Sequence, residues 1–473
     1  MDALASLVER LPEGAVSTHP GELSSRSRDA WPLAMLREAR GERLPRPMAV
    51  VFPRSTDDVA VTLAWATEAG VPIVPRGGGS GVCGGAQAVW RGVVVDTSLM
   101  NRVIEVDEES LAARVDSGIR GDRLEAALAP RGLTVGHYPQ SMAISTVGGW
   151  IAAGSSGQAS ARYGGIEDLV LGLVAVLPGG TVLRLRPTPR SAAGPDLRRL
   201  LAGSEGILGV VTEATLSVSR TPASVEWAAF GLPRFEDGLV LVKDVIQRDL
   251  GATIVRLYDE PDATLTFGPL GHDRGSVLVL GFGDRPGLGA VLDAVRTEAE
   301  SGGAKVLDHG YGRHWWEHRN DAVALYRQIM EERSLGPGVV VDTMEVAALW
   351  RDLPDLFRKV RDALAEHSSR PVGCHLSHPY RSGASLYFTF LVHADDDRAA
   401  EDRYLSCWRQ AAAACHRARG TISHHHGIGL LKVPFLAEEL GGGGLATLRA
   451  VKRAVDPAGV LNPGKLLPGE DSA

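Results

Sequence analysis

Pro75-Arg76-Gly77-Gly78-Gly79-Ser80-Gly81-Val82-Cys83-Gly84-Gly85-Ala86 is the stretch on which the reading of this chain turns. It follows a short apolar run, residues 71–74, that reads as a strand, and leads through Trp90-Arg91-Gly92 into another, residues 93–96. A backbone this rich in glycine turns tightly with positive φ and aims successive N–H groups at one anion. With no Cβ in the way it also approaches a ligand closely. Pyrophosphate fits such a loop; taken alone, a glycine-rich surface turn competes. A Rossmann fingerprint or a P-loop needs a helix opening at the glycines, and here a strand follows. Phosphate is therefore expected to be held by loop N–H groups, without a helix dipole.

Two further stretches of like texture favour the ligand reading. Residues 136–157 crowd glycine and small hydroxyl residues around Ser145-Thr146-Val147-Gly148-Gly149-Trp150, and residues 203–214 run Gly-Ser-Glu-Gly-Ile-Leu-Gly-Val-Val-Thr-Glu-Ala. Such residues offer N–H and O–H donors to a flat polar ring and to phosphate oxygens.

A chain of 473 residues implies two or three domains. Net charge is −7 without a basic run, so nucleic acid is not an expected partner. Met1-Asp2-Ala3-Leu4 carries no basic stretch before an apolar core, so no signal peptide is expected, and no apolar run is long enough for a transmembrane helix. Cys83, Cys374, Cys407 and Cys415 are scattered without CxxC spacing, which fits a reducing cytoplasm and free thiols.

Residues 1–44 read as a polar, irregular arm. Residues 48–52 read as a strand, and Ser55 as the N-cap of a helix reaching residue 69, with Asp57 and Asp58 in its first turn. Further strands are expected at 93–96, 102–106 and 112–115, a helix at 121–131, and a hairpin from 169–177 into 182–183. Beyond residue 224 strands (225–232, 253–258, 276–282) alternate with helices (235–247, 288–301, 353–366), an α+β pattern with antiparallel strands. Gly441–Gly444 is a low-complexity tract before a helix at 445–455.

Five of the 14 histidines lie in two short segments, Cys374-His375-Leu376-Ser377-His378-Pro379-Tyr380 and Ser423-His424-His425-His426-Gly427. Structural histidines, a metal site, and acid–base groups lining a flavin pocket compete as explanations. No Asp or Glu lies within either segment, which disfavours metal. Imidazole titrates near neutrality and exchanges protons within one turnover. Tyr387, on the strand that follows, adds an O–H, or is simply an aromatic on a strand face.

Together, the glycine loop, STVGGW (145–150), YGGIEDLV (163–170), GSEGILGVVTEAT (203–215), RLYD (256–259), CHLSHPYRSGASLYFTF (374–390) and SHHHGIG (423–429) resemble the alkylglycerone-phosphate synthase family from about residue 45 onward. The first four motifs are shared with many FAD-linked enzymes of the vanillyl-alcohol-oxidase type; the last three are more specific. The resemblance implies an α+β fold: a two-subdomain FAD-binding domain (45–222), an antiparallel-sheet cap (223–420), and a C-terminal segment (421–473) returning to the FAD domain. It implies FAD contacts from Pro75, Arg76, Gly77, Gly78, Gly79, Ser80 and Gly81. Gln140, Ser141, Ser145, Thr146, Gly148, Gly149, Ala153, Ser155 and Ser156 follow, then Glu205, Gly206, Ile207, Gly209, Val210 and Val211. No histidine in the loop offers a covalent flavin link there.

In that family FAD acts without net redox change, and the acyl group of acyl-dihydroxyacetone phosphate is exchanged for a fatty alcohol. The resemblance implies that Arg256 binds substrate phosphate, with Arg327 and His378 also at the substrate. Tyr387, His424, His425 and His426 form the acid–base group. It leaves room for a lipid-like or small-molecule substrate, a homodimer and peripheral membrane contact. Related 2-hydroxyacid dehydrogenases bind a divalent metal through GDGNxH-like and Glu-His-Gly segments. Here Ser377-His378-Pro379-Tyr380 and His425-His426-Gly427 stand instead, so no metal is expected. An FAD-linked oxidase or dehydrogenase of hydroxy acids or alcohols is the alternative. The family's positive residue after HHHGIG is replaced by Leu430, and the C-terminus, Glu470-Asp471-Ser472-Ala473, carries no peroxisomal signal.

Overall fold

The computed structural model describes residues 3–467; Met1, Asp2 and the C-terminal residues read above lie outside them. Three larger sheets organise the chain, beside a two-stranded one of Leu133–Thr134 and Ser219–Arg220. The first has strand order Val16–Ser17, Ala49–Val51, Val93–Asp96, Ile73–Arg76, its last three parallel. The crossover helix Thr56–Ala69 joins two of them. Ser55 Oγ accepts the Asp58 N–H at 3.1 Å, and Gly70 closes the helix at φ 64°. The glycine loop leaves the end of Ile73–Arg76.

The second sheet is antiparallel, in the order Val103–Asp107, Ala112–Asp116, Val210–Ser217, Val170–Val176, Val182–Leu185. The helix expected at 121–131 is α-helical only over Gly121–Leu128 and tightens into a 3-10 turn over Ala129–Arg131, where Pro130 removes a backbone donor.

Residues 3–44 are not irregular. Ala3–Arg10, Pro20–Ser25 and Pro32–Ala39 are helices, and Trp31, Leu33, Met35 and Leu36 are buried. Each apolar cluster is too short to show helical periodicity. Arg37 and Arg40 anchor the third helix to Glu401 of the long helix Asp397–Arg417.

The third sheet has seven strands, in the order Lys305–Leu307, Val225–Leu232, Ser276–Gly283, Ile254–Tyr258, Gly373–Pro379, Gly383–His393, Val339–Leu349. Side chains alternate between its faces. Val255, Leu257, Cys374, Leu376, Leu386 and Phe388 share a core with helices Phe235–Gln247 and Leu353–Ala365. The alternating positions of the same strands fall on the other face. Register brings four of them into one row: Tyr258 opposite His375, His375 opposite Tyr387, and Tyr387 opposite Glu345.

The C-terminal helix spans Leu436–Val455, longer than the sequence suggested. It takes in Gly441–Gly444 with a kink where Gly441 has φ 65°. The chain then returns to the first sheet: the Ile73 N–H donates to Val460 O at 2.8 Å, and the Asn462 N–H to Ile73 O at 2.7 Å.

Candidate functional site

The three glycine-rich stretches converge. A Cβ on Gly78 would stand 1.7 Å from Ile144 O, and one on Gly77 2.2 Å from Thr146 Oγ1, so the loop lies directly on the second stretch. Gly206, at φ 74°, packs against Pro75 at 3.0 Å. Thr146 N-caps the helix Val147–Ala153, accepting the Gly149 N–H at 3.3 Å. A helix start therefore does lie against the glycine loop. It comes from a segment 70 residues downstream of it, which local inspection of the loop cannot reveal. Gly79 has φ 67°, and the Arg76 guanidinium folds across it to donate to Arg28 O at 2.7 Å. Gly81 O takes the Ala30 N–H at 2.8 Å, and Ser80 stands between these positions. A loop of such residues, packed so closely that Gly77, Gly78 and Gly79 have no room for a Cβ, is a cradle that fits a dinucleotide.

Several residues expected at FAD spend polar atoms on the protein. Ser145 Oγ accepts Trp150 Nε1–H at 2.8 Å; Ser155 Oγ pairs with His137 Nε2 at 2.9 Å, where burial pushes the imidazole pKa down to about 3. Gly148 N–H donates to Ser117 O, Ser141 O accepts two backbone N–H groups, and Gln140 Nε2 donates to Arg319 O at 3.3 Å. Ala153 ends its helix; Ser156 meets Tyr380. Ile207 O takes Lys452 Nζ at 2.8 Å, while Gly209, Val210 and Val211 lead into the sheet beside Val176 and Ala175. Glu205 is wholly engaged. Its N–H reaches Ala152 O, its carbonyl takes Asn462 Nδ2, and its carboxylate takes the N–H groups of Ile428 and Gly429. Burial raises its pKa to about 7, against those two bonds. It staples the histidine loop onto the first half of the molecule.

That loop meets the cap sheet at a polar cluster. His378 Nδ1 pairs with Ser160 Oγ at 2.7 Å, and its ring stacks on His424 at 5.1 Å between centroids. A register shift between Leu376 and Pro379 re-aims His378. His424 Nε2 pairs with Tyr380 OH at 2.9 Å, and its Nδ1 with His425 Nδ1 at 3.0 Å. His425 stands 6.0 Å, and His426 5.5 Å, from the Tyr387 ring. Tyr387 OH accepts from Thr343 Oγ1 at 2.9 Å. Burial lowers all four imidazole pKa values: His424 to about 4, His425 and His378 well below the usual range, and His426 less markedly. Burial likewise raises that of Tyr387 far above the phenol range. The cluster is thus a set of neutral imidazoles and a protonated phenol. Among the described residues, His378, His424 and His425 are the group with metal-like spacing, their nitrogens within 4.8 Å; no carboxylate joins them.

Two residues escaped sequence reading. Glu345 and Lys432, both fully buried, pair at 2.8 Å beneath the histidine loop. Glu345 also accepts the His426 N–H at 2.9 Å and Ser423 Oγ at 3.0 Å, and lies 3.4 Å from His426 Nδ1. Burial opposes the Glu345 charge, but the Lys432 ammonium overrides it and holds the carboxyl well below its usual range. The signal for Glu345 was that acids, Asp342 and Glu345, stand inside the apolar run Val339–Leu349.

Arg256 is 4% exposed, makes no ion pair among the described residues, and leaves Nε without a partner. Burial drops its pKa to about 10. It lies over the Trp315 ring at 5.3 Å and is close enough to His378 to depress that imidazole. Arg327 is not brought to the cluster; it is largely exposed and pairs with Glu331 at 3.1 Å on its own helix. Nearer is Arg319, stacked over Trp316 at 3.7 Å, with its carbonyl held by Gln140 and Gln158.

Comparison with known proteins agrees with this geometry. Residues 47–186 match the FAD binding domain family, and residues 221–466 the C-terminal domain of FAD linked oxidases. The chain is 32% identical to the alkyldihydroxyacetonephosphate synthase of Trypanosoma brucei brucei, over 94% of this chain and 76% of that protein. It is also 32% identical to an uncharacterized FAD-linked oxidoreductase of Escherichia coli, over 90% of each chain. A solved alkyldihydroxyacetonephosphate synthase superposes with TM-score 0.81 at 26% identity, covering 98% of this chain and 86% of that one. p-Cresol methylhydroxylase shares the fold, with TM-score 0.76 at 14% identity over 100% of this chain and 97% of that one. No helix among the described residues is long and apolar enough to cross a membrane. A glycine-rich cradle, a matching domain pair and relatives matched over most of their length together make this chain an FAD-dependent enzyme that belongs to the FAD-linked oxidase family.

Proposed function

We propose that the chain exchanges the acyl group of acyl-dihydroxyacetone phosphate for a fatty alcohol, forming an ether. The observation that carries this reading is Arg256: a buried guanidinium without a carboxylate, set beside neutral histidines. Its fork suits paired hydrogen bonds to phosphate oxygens, and a phosphate would relieve its unpaired charge. Bound FAD supplies an electrophile and electron sink at the reacting carbon. Pro75 to Gly81, Ile144 to Thr146 and Gly206 form its cradle.

His425 takes the proton from carbon. Its Nδ1 is occupied by His424, and its Nε2 makes no hydrogen bond among the described residues, which leaves that nitrogen to act as the base. His424 and Tyr380 fix the tautomer. Tyr387 receives a hydrogen bond from Thr343, which leaves its own proton free for the departing carboxylate. As the carbon–carboxylate bond breaks, the carboxylate leaves with the Tyr387 proton; the alcohol oxygen bonds to the same carbon, the alcohol proton restores the phenol, and His425 returns its proton to that carbon. Lys432 and Glu345 touch no reacting atom; they hold the His425 and His426 backbone in place. The reading places the enzyme in the cytoplasm, acting on a lipid-like substrate.

The test uses FAD-loaded protein, palmitoyl-dihydroxyacetone phosphate and labelled hexadecanol. Labelled ether is expected, with the flavin oxidised between turnovers. Anaerobic bleaching by a hydroxy acid or alcohol, without ether formation, would replace this reading with that of an oxidase or dehydrogenase.

A further inference from the structure

Lys465 is 1% exposed, and among the described residues its Nζ has no hydrogen-bond partner. Burial drops its pKa to about 8; only Asp29 opposes the shift. An ammonium taken out of water without a partner is costly, so a position that keeps one points to an anion the protein does not supply.

Its place in the fold says which anion. Lys465 N–H donates to Asn462 O at 3.4 Å, and the next residue, Leu466, donates to Gly429 O at 3.1 Å. Asn462 Nδ2 reaches Gly85 O at 3.1 Å and Glu205 O at 2.7 Å. Lys465 is therefore mounted where the glycine loop, the 203–209 stretch and the histidine loop meet. These segments form the dinucleotide cradle and the reaction site.

The protein's own charge does not balance there. Asp29 accepts the N–H groups of Trp31 and Ala86, and lies 3.5 Å from where a Gly81 Cβ would be. Arg76 and Lys465 both lean on it, and neither forms an ion pair with it within 4 Å. Lys465 thus has one acid near it, which it shares with the half-buried Arg76 and which already accepts two backbone N–H groups, while Arg76 is also drawn to Asp96.

We propose that Lys465 is a cofactor-binding residue whose ammonium contacts an anionic group of FAD: a pyrophosphate oxygen, or the N1–C2=O edge of the flavin ring, which gains negative charge when electrons enter it.

The test compares wild type with Lys465→Met and Lys465→Arg, each stripped to apoprotein and titrated with FAD and with ADP, then reloaded and titrated with sulfite. Lys465→Met is expected to weaken FAD binding or sulfite addition about tenfold to a hundredfold, and Lys465→Arg to restore most of it. Parallel losses for FAD and ADP assign the contact to pyrophosphate. Unchanged ADP affinity with weaker sulfite addition assigns it to the ring. FAD, ADP and sulfite affinities all within about twofold of wild type overturn the proposal. Should Lys465→Met fail to fold, a crystal structure of the wild-type FAD-loaded protein decides. Nζ at about 2.7–3.2 Å from an FAD oxygen or N1 supports the contact; Nζ turned onto a protein carbonyl refutes it.

Discussion

Lys432 Nζ lies 2.8 Å from Glu345 Oε2 with both side chains fully buried, and the same carboxylate holds the backbone N–H of His426. The pair is the floor of the histidine loop. Lys432→Met strands a buried carboxylate, and we expect a loss of about 3–5 kcal/mol in urea unfolding. Adding Glu345→Gln removes the stranded charge and should recover part of that loss.

Gly78→Ala would place a methyl group against Ile144 O, 1.7 Å from the ideal Cβ position. Backbone meets backbone there, so no side chain can swing aside. The variant should purify with little yellow colour, its FAD affinity down about tenfold or more, while far-UV circular dichroism stays near that of wild type.

Arg256→Met separates binding from stability. Loss of paired charge-assisted hydrogen bonds should lower kcat/KM for the phosphorylated substrate about a hundredfold, with the flavin spectrum unchanged. Because the guanidinium is buried without an acid, stability should hold or rise by about 1 kcal/mol. A large fall in melting temperature would contradict the idea that it awaits an external anion.

His425→Ala and Tyr387→Phe should each keep FAD and cut turnover about 100- to 10,000-fold, the range for removing a positioned acid or base. Loss of the flavin spectrum in either variant would move that residue into the cofactor shell.

The buried imidazoles make stability depend on pH with a definite sign. His424 stays neutral in the folded state down to about 4, whereas in the unfolded chain it takes a proton near 6.5. Its contribution is complete above 6.5 and is lost as pH falls towards 4, about 3 kcal/mol for this group. His378, His425 and His426 act in the same direction. Glu205 acts oppositely: its folded pKa is raised to about 7, so its contribution fades as pH rises through that value. NMR titration of the His424 ring should show no protonation at pH 5.5, and His424→Gln should flatten the acid limb of stability.

What the sequence determined is what local chemistry can carry. The glycine loop, the Ser55 cap and the apolar strands at 225–232 and 276–282 declare themselves because φ, capping and a run of β-prone residues are properties of neighbours. The histidine motifs declared themselves by density. Short helices at residues 3–39 were illegible, since each buries too few residues to make a period.

Only tertiary structure decided which groups meet. Strand register set Tyr258, His375, Tyr387 and Glu345 in one row from segments up to 129 residues apart. It left Arg327 on the surface and brought a helix start to a loop that has none of its own. Pairing across a sheet depends on loop closure and burial, which no window of sequence contains. A buried charge such as Arg256 or Lys465 looks ordinary in the sequence, and becomes informative only once a buried nitrogen of it is seen to lack a hydrogen-bond partner.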